Sequence, residues 1–171
     1  MLDCQVLSFA VSSQTAQTRE HGQQQRDSEA LLKNLSEVRV SSIVVLELLR
    51  SPPSVSRKIR TSGILEMLNV EPVDAAISMA AADLLERARG QKDLCSRCFN
   101  VRSATACREC GQLVSHQQKT HDALIVATAS VLADVEILYS YDPGVFELAK
   151  FAPNVRVMHP DNVDGPLFKP R

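Results

Sequence analysis

The pattern of apolar and polar residues is clearest between residues 120 and 144, where two apolar runs follow each other. The first run, residues 123–132, comes directly after Asp122 and contains no glycine or proline, which predicts a buried helix. The second run, residues 135–139, begins with a β-branched residue and is closed by Asp142 in an Asp-Pro-Gly sequence, which predicts a buried strand. One carboxylate therefore opens a buried helix, and another follows a buried strand, at the end where α/β sheets bind ligands.

The rest of the chain alternates between these two patterns. Further short strands are predicted at residues 1–10, 38–40, 70–73 and 155–158. Further helices are predicted from Ser28 onward, from Ser41 or Ser42 to residue 50, and at residues 57–68, 74–89 and 145–151. Residues 12–27, rich in Gln, Ser and Thr, predict a loop or a frayed helix. Strands that alternate with helices predict a three-layer α/β domain with a mostly parallel central sheet flanked by helices.

Composition places the chain among ordinary globular proteins, with 44% hydrophobic and 23% charged residues. Its length predicts one domain at residues 1–160, with a modest insertion, and a loose tail at residues 161–171. A net charge of -1 gives no global electrostatic reason for a nucleic-acid or membrane partner. The first ten residues lack the pattern of a signal peptide or a membrane span, so we expect a cytoplasmic protein with reduced cysteines.

Residues 91–118 differ from their surroundings, because they are polar and contain no core-like run. They hold two close cysteine pairs, Cys95 with Cys98 and Cys107 with Cys110. Four thiolates in two such pairs match a tetrahedral structural zinc site. The spacing predicts a small zinc-ribbon insertion, with a pair of redox dithiols or an iron site as the alternatives.

Basic residues outnumber acidic ones in this segment and just after it. The candidates for binding a phosphate backbone are Arg102, Arg108 and Lys119. The alternative is an ordinary solvated surface.

Four carboxylates lie beside apolar elements, namely Asp3, Glu47, Asp122 and Asp142. Each has a structural alternative, such as an exposed terminus, a helix surface, a favourable helix-dipole position or a turn. Carboxylates that share one crevice repel each other unless a cation lies among them. Oxygen ligands of this kind suit Mg²⁺ or Mn²⁺ better than zinc or copper.

The segments around these acids, LDCQVL, SSIVVLELL, HDALIVATA and YSYDPGVF, resemble the motif series of PIN-domain ribonucleases. VapC-type toxins of bacterial toxin–antitoxin pairs belong to that family. The resemblance covers most of the chain outside residues 91–118, in the family's order, and HDALIVATA is its most specific piece. The chain departs from the family at Cys4 and Gln5, where Thr or Ser and Asn are usual, and at Ser140 and Tyr141, which precede the last aspartate where Thr is common.

The resemblance implies a PIN-like fold and metal-dependent hydrolysis of RNA phosphodiester bonds. The four acids would hold one or two Mg²⁺ or Mn²⁺ ions, which would lower the pKa of a bound water and neutralise charge on the phosphate. Three functions stay open: a toxin with an antitoxin protein as partner, an RNA-processing nuclease, and a catalytically silent PIN-like protein that binds RNA or another protein. A homodimer is also open, and no membrane partner is expected.

Overall fold

A computed structural model describes residues 1–12, 18–50, 55–89 and 116–161 of the chain. These residues form a mixed α/β structure with seven helices and short parallel strands. The chain divides into two compact units. The first unit contains Met1–Glu71, Tyr139–Tyr141 and the chain from Met158 onward, and the second contains Pro72–Leu138 and Asp142–Val157.

The predicted order of elements is largely confirmed. The helices are α1 (Cys4–Ala10), α2 (Arg19–Asn34), α3 (Ser42–Arg50), α4 (Val55–Leu65), α5 (Ala75–Arg89), α6 (His116–Val131) and α7 (Pro143–Ala149). The strands are β1 (Val38–Ser41), β2 (Leu68–Glu71), β3 (Ile137–Tyr139) and β4 (Arg156–Met158). From residue 38 onward each predicted strand and helix in the described ranges is present, with its ends shifted by a few residues, as is usual for element boundaries.

Parallel pairing organises the first unit. Strands β1 and β2 pair in parallel, with Val38 opposite Leu68. The Leu2 N–H donates to the Arg39 carbonyl at 3.0 Å, and Leu2 also forms a parallel bridge with Tyr139. The N-terminal residues therefore lie between β1 and the end of β3, which is a central position. Strands β3 and β4 pair with each other in a separate two-stranded sheet.

The prediction of a strand across residues 1–10 is wrong. Extended pairing is limited to the residues around Leu2, and helix α1 begins at Cys4. Asp3 caps this helix, since its side chain accepts from the Cys4 N–H at 2.6 Å. Val6, Leu7 and Ala10 are the buried residues of α1, a spacing typical of one helix face. A short apolar run cannot distinguish a buried strand from a buried helix, which explains the error.

Helix α2 begins earlier than predicted. Thr18 caps it by accepting from the His21 N–H at 3.2 Å, so Ser28 lies buried inside the helix and does not begin it. The polar, Gln-rich part of α2 is stabilised by side-chain pairs one turn apart, such as Gln23 with Asp27 at 2.7 Å. Such pairs support a helix without an apolar stripe.

Helix α3 carries Glu47, as predicted, but it is not buried on every side. Val44 and Leu48 are buried, whereas Leu46 is 49% exposed and Leu49 is 58% exposed. Glu47 is itself half-buried. Helix α3 is therefore only partly buried.

The second unit is built from helices α5, α6 and α7, which pack against one another. In α6 the consecutive residues from Ile125 to Ala129 are all buried, which confirms the predicted buried helix. Among the helices in the described ranges, none is long and apolar enough to cross a membrane.

The predicted zinc ligands and two of the candidate RNA-binding residues lie outside the described residues; they are Cys95, Cys98, Cys107, Cys110, Arg102 and Arg108. The zinc-ribbon insertion and its zinc ion therefore stay predictions. Of the predicted insertion, residues 116–118 belong to the first turn of α6. Residues 162–171 of the predicted tail are also outside the described part of the chain.

Candidate functional site

Two of the four predicted acids come from helices that pack against each other in the second unit. Asp122 lies in α6 and is 5% exposed. Asp142 caps α7, and its Oδ1 accepts from the Gly144 N–H at 2.6 Å. An aspartate before a proline at the first helical position is a favoured way to begin a helix. Because α6 and α7 pack together, the two side chains come from facing elements.

Gly144 shows how closely these side chains approach each other. A Cβ atom at this position would be 2.9 Å from Asp122 Oδ2 and 3.0 Å from Asp142 Oδ1, and it would overlap Lys119 Nζ. Two carboxylates and one ammonium group therefore converge on a single point next to the start of α7. Only a residue without a side chain at position 144 leaves room for the Lys119 ammonium there.

Lys119 lies on α6, one turn before Asp122, and is only 6% exposed. Its Nζ lies 3.2 Å from Asp122 Oδ2. Lysine is rarely buried to this degree unless it is paired. From its sequence, Lys119 belongs with the basic residues around 91–118, and its binding to RNA stays a prediction; the structure places its ammonium against Asp122.

The three-residue spacing of Lys119 and Asp122 is a sequence pattern that predicts an ion pair on one helix face, but this pair is not among the sequence-based predictions above. Residues three apart on a helix face the same side, so a Lys and an Asp at this spacing are expected to pair. The pair is therefore predictable from sequence once α6 is extended back to His116.

Asp3 lies in the first unit and is buried. Its Oδ1 accepts from the Cys4 N–H, and its Oδ2 accepts from the Ser140 hydroxyl, both at 2.6 Å. Ser140 is completely buried. In the sequence, Ser140 stands out only as a departure from the family pattern, and the structure shows it to be a direct partner of Asp3.

Tyr141 anchors the backbone next to Ser140. Its hydroxyl donates to the Gln24 carbonyl at 3.2 Å, and its ring meets Phe9 edge-on with centroids 5.5 Å apart. Burial raises the pKa of Tyr141 above its ordinary value. The hydrogen bond with Ser28 lowers this pKa, whereas the negative charges of Asp27 and Asp161 raise it further. The phenol is therefore neutral at physiological pH and acts as a hydrogen-bonding anchor.

Glu47, the remaining acid, lies half-buried on α3 in the first unit. Within the ranges that the structure describes, no three His, Cys, Asp or Glu side chains are grouped so that they could hold a metal ion. A site built from all four acids therefore stays a prediction. The acids that the structure brings together are Asp122 and Asp142.

The chemistry of this pair fits part of the ligand set of a hard divalent cation. Carboxylate oxygens are the ligands that Mg²⁺ and Mn²⁺ prefer, and magnesium sites in proteins often use only one or two carboxylates. The Lys119 ammonium beside Asp122 shows that this position accommodates a positive charge. Asp122 and Asp142 could therefore supply part of the oxygen ligand set of such an ion.

Replacing Gly144 with alanine should destabilise the protein by about 1–3 kcal/mol, the usual cost of added atoms in a packed site. The new methyl group would displace the Lys119 ammonium and crowd both carboxylates. The matched control is Gly63→Ala in α4, where a Cβ would meet nothing within 4 Å. That change should stabilise by roughly 0.5–1 kcal/mol, because alanine is the better helix former. Urea unfolding of both variants measures the difference, and equal stability of the two would contradict the crowding at Gly144.

The chain matches no model of a known protein family, and no curated protein matches it by sequence. Any family assignment therefore depends on the residues and the geometry described above.

Proposed function

We propose that this protein is a Mg²⁺- or Mn²⁺-dependent endoribonuclease with a three-layer, PIN-like α/β fold. The observation that carries the proposal is the convergence of Asp122 and Asp142 on one point beside Gly144. Both acids stand in the motif segments that resemble PIN-domain ribonucleases, HDALIVATA and YSYDPGVF. Of the two carboxylate charges at this point, the Lys119 ammonium offsets one, and a divalent metal ion would offset both.

The positions of Asp3 and Asp142, each between an extended segment and a helix, separately support the proposed active site. Asp3 directly follows Leu2, whose backbone pairs with Tyr139, and it caps α1. Asp142 follows β3 and caps α7. In α/β proteins with parallel strands, ligands bind beyond the carboxyl ends of the strands, and residues at such junctions are therefore placed to take part in chemistry.

Asp122 and Asp142 are the residues that would hold the divalent ion, and the resemblance adds Asp3 and Glu47 to the proposed ligand set. When bound, the ion would lower the pKa of a water molecule and neutralise charge on the scissile phosphate. The chain itself holds the carboxylates in fixed orientations. The Gly144 N–H fixes Asp142 Oδ1, and the Ser140 hydroxyl fixes Asp3 Oδ2. Hydrogen bonds to ligating carboxylates of this kind typically support metal affinity.

RNA is the proposed substrate, and the predicted zinc ribbon is the proposed source of additional binding to phosphates. If Arg102 and Arg108 bind the backbone, replacing both with alanine should weaken RNA binding at low salt. The slope of log affinity against log salt should decrease by about 0.7 for each phosphate of a single strand that the variant no longer neutralises. Fluorescence anisotropy with a labelled RNA at several salt concentrations measures this slope. Lys33→Ala, at an exposed position of α2, is the control; an unchanged slope in the double variant would exclude a role for the two arginines in RNA binding.

Lys119 also supports a second candidate, a catalytically silent PIN-like protein that binds RNA or another protein. Its ammonium already neutralises Asp122 without a metal ion. In a silent protein that ion pair would be permanent, and the acids would serve stability alone. Metal binding therefore separates the two candidates.

A toxin and an RNA-processing enzyme would share this chemistry and differ in their partners. A toxin requires an antitoxin protein, so a small gene directly beside this one would favour that alternative. Tight, inhibitory binding of that gene's product would identify a toxin, and the lack of such binding would favour the RNA-processing enzyme.

Titration with Mn²⁺ tests the proposal directly, with the loss of the electron paramagnetic resonance signal of the free ion as the readout. The protein should bind Mn²⁺, and Asp122→Asn should bind it at least about tenfold more weakly, a change of roughly 1.4 kcal/mol in binding free energy. Asp83→Asn, an exposed position of α5 in the same unit, should bind like the unaltered protein. If the unaltered protein binds no Mn²⁺ at millimolar concentrations, the silent candidate is favoured.

A further inference from the structure

Lys119 places a positive charge at the position where the proposed metal ion would bind. The Lys119 ammonium lies 3.2 Å from Asp122 Oδ2 and would be overlapped by a Cβ on Gly144, the same point that Asp122 Oδ2 and Asp142 Oδ1 approach within 3.0 Å. We infer that Lys119 is a tethered counter-cation, which competes with the divalent ion for Asp122 and sets the metal concentration at which the site fills. This inference rests on the proposed metal-dependent function and specifies how its site is regulated.

Because both are positively charged, the Lys119 ammonium and a divalent ion exclude each other at the Asp122 carboxylate. An ammonium group and a divalent cation repel each other, and in a poorly solvated site this repulsion is screened much less than in water. Lys119 and Asp122 are both nearly enclosed, with 6% and 5% of their surfaces exposed. A divalent ion on Asp122 must therefore move the ammonium away from the Asp122 carboxylate.

The lysine side chain is suited to such a movement. It has a flexible four-carbon stem and a compact charge, so the ammonium can leave one carboxylate without any change in the helix that carries it. Gly144 is what allows the ammonium to reach Asp122, because any side chain at that position would fill the same space. Lys119 and Gly144 therefore together set the metal-ion concentration at which the site fills.

A second lysine pair in the same unit provides a matched control. Lys150 pairs with Glu147 at the same three-residue separation, but Lys150 is 63% exposed. An exposed pair of this kind is largely screened and contributes little. Removing the charge of Lys150 should leave metal binding unchanged.

The test is the Mn²⁺ affinity of the full chain, measured by electron paramagnetic resonance, for Lys119→Gln, Lys119→Arg and Lys150→Gln. Lys119→Gln should bind Mn²⁺ about tenfold more tightly than the unaltered protein, which corresponds to roughly 1.4 kcal/mol in binding free energy. Lys119→Arg keeps the charge and should bind like the unaltered protein, as should Lys150→Gln. Thermal melting checks that each variant is folded.

The same displacement can be observed without any substitution. In protein labelled with ¹⁵N-lysine, the Nζ signal of Lys119 should shift when Mg²⁺ is added, whereas the Nζ signal of Lys150 should not. A Lys119 signal that stays fixed while Mg²⁺ binds would overturn the inference, even if Lys119→Gln fails to fold.

The outcomes separate this inference from the proposed function. If Mn²⁺ binds and depends on Asp122, but Lys119→Gln binds no more tightly, the proposed function stands and the counter-cation inference is overturned. If neither the unaltered protein nor Lys119→Gln binds Mn²⁺, the proposed function and the inference that rests on it both fall. If only Lys119→Gln binds Mn²⁺, the inference is supported, and the unaltered protein belongs to the catalytically silent class.

Discussion

Replacing Asp122 with asparagine should slow the cleavage of RNA by about a hundredfold to a thousandfold. Effects of this size are typical when a single group that stabilises transition-state charge is removed. Asparagine has nearly the shape of aspartate but lacks the negative charge that attracts the proposed divalent ion. The rate of cleavage of a fluorescent single-stranded RNA in the presence of Mn²⁺ is the measurement, with Asp83→Asn as the control for a charge removed elsewhere in the same unit.

This substitution also affects stability, because it leaves the Lys119 ammonium without the carboxylate that it pairs with. Removing one partner of a buried ion pair costs about 3–5 kcal/mol. A double variant, Lys119→Met with Asp122→Asn, removes both charges and should recover most of that stability. The double variant should nevertheless remain inactive. If it is folded and cleaves RNA at the unaltered rate, Asp122 has no part in the chemistry.

Replacing Ser140 with alanine should destabilise the first unit by about 1.5–3 kcal/mol, the usual range for a hydrogen bond to a charged group. The Ser140 hydroxyl donates to Asp3 Oδ2 at 2.6 Å, and both residues are buried. Ser62→Ala, at an exposed position of α4, is the matched control and should change the stability by no more than about 0.5 kcal/mol. Urea unfolding monitored by circular dichroism measures both variants.

Ser140→Ala also tests whether the orientation of Asp3 matters for function. If Asp3 is one of the proposed metal ligands, removing its hydrogen-bonding partner should weaken Mn²⁺ binding about 10- to 100-fold. Lower stability with unchanged Mn²⁺ affinity would assign Ser140 and Asp3 a structural role alone.

Much of the fold could be predicted because local patterns determine it. The almost uninterrupted apolar run after Asp122 predicts a buried helix, and α6 is buried along Ile125 to Ala129. The errors have local causes as well. Helix α1 is too short for its period to be recognised, and α2 begins in a Gln-rich stretch whose helix is stabilised by polar pairs such as Gln23 with Asp27.

The geometry of the site could be predicted only in part. The pairing of Lys119 with Asp122 follows from their three-residue spacing on one helix. The bond between Ser140 and Asp3 joins residues 137 positions apart, and no local pattern indicates which hydroxyl reaches a given carboxylate. The same limit applies to the exposure of Leu46 and Leu49, because a helical period does not show what covers each face.

A divalent cation is proposed to bind at Asp122 and Asp142. The most direct measurement is the anomalous scattering of crystals soaked in Mn²⁺. We expect a peak within coordination distance of Asp122 Oδ2 and Asp142 Oδ1, with the Lys119 ammonium displaced from Asp122. Crystals that remain ordered in Mn²⁺ and show no peak at these oxygens, with Lys119 still paired to Asp122, would contradict metal binding at this pair of carboxylates.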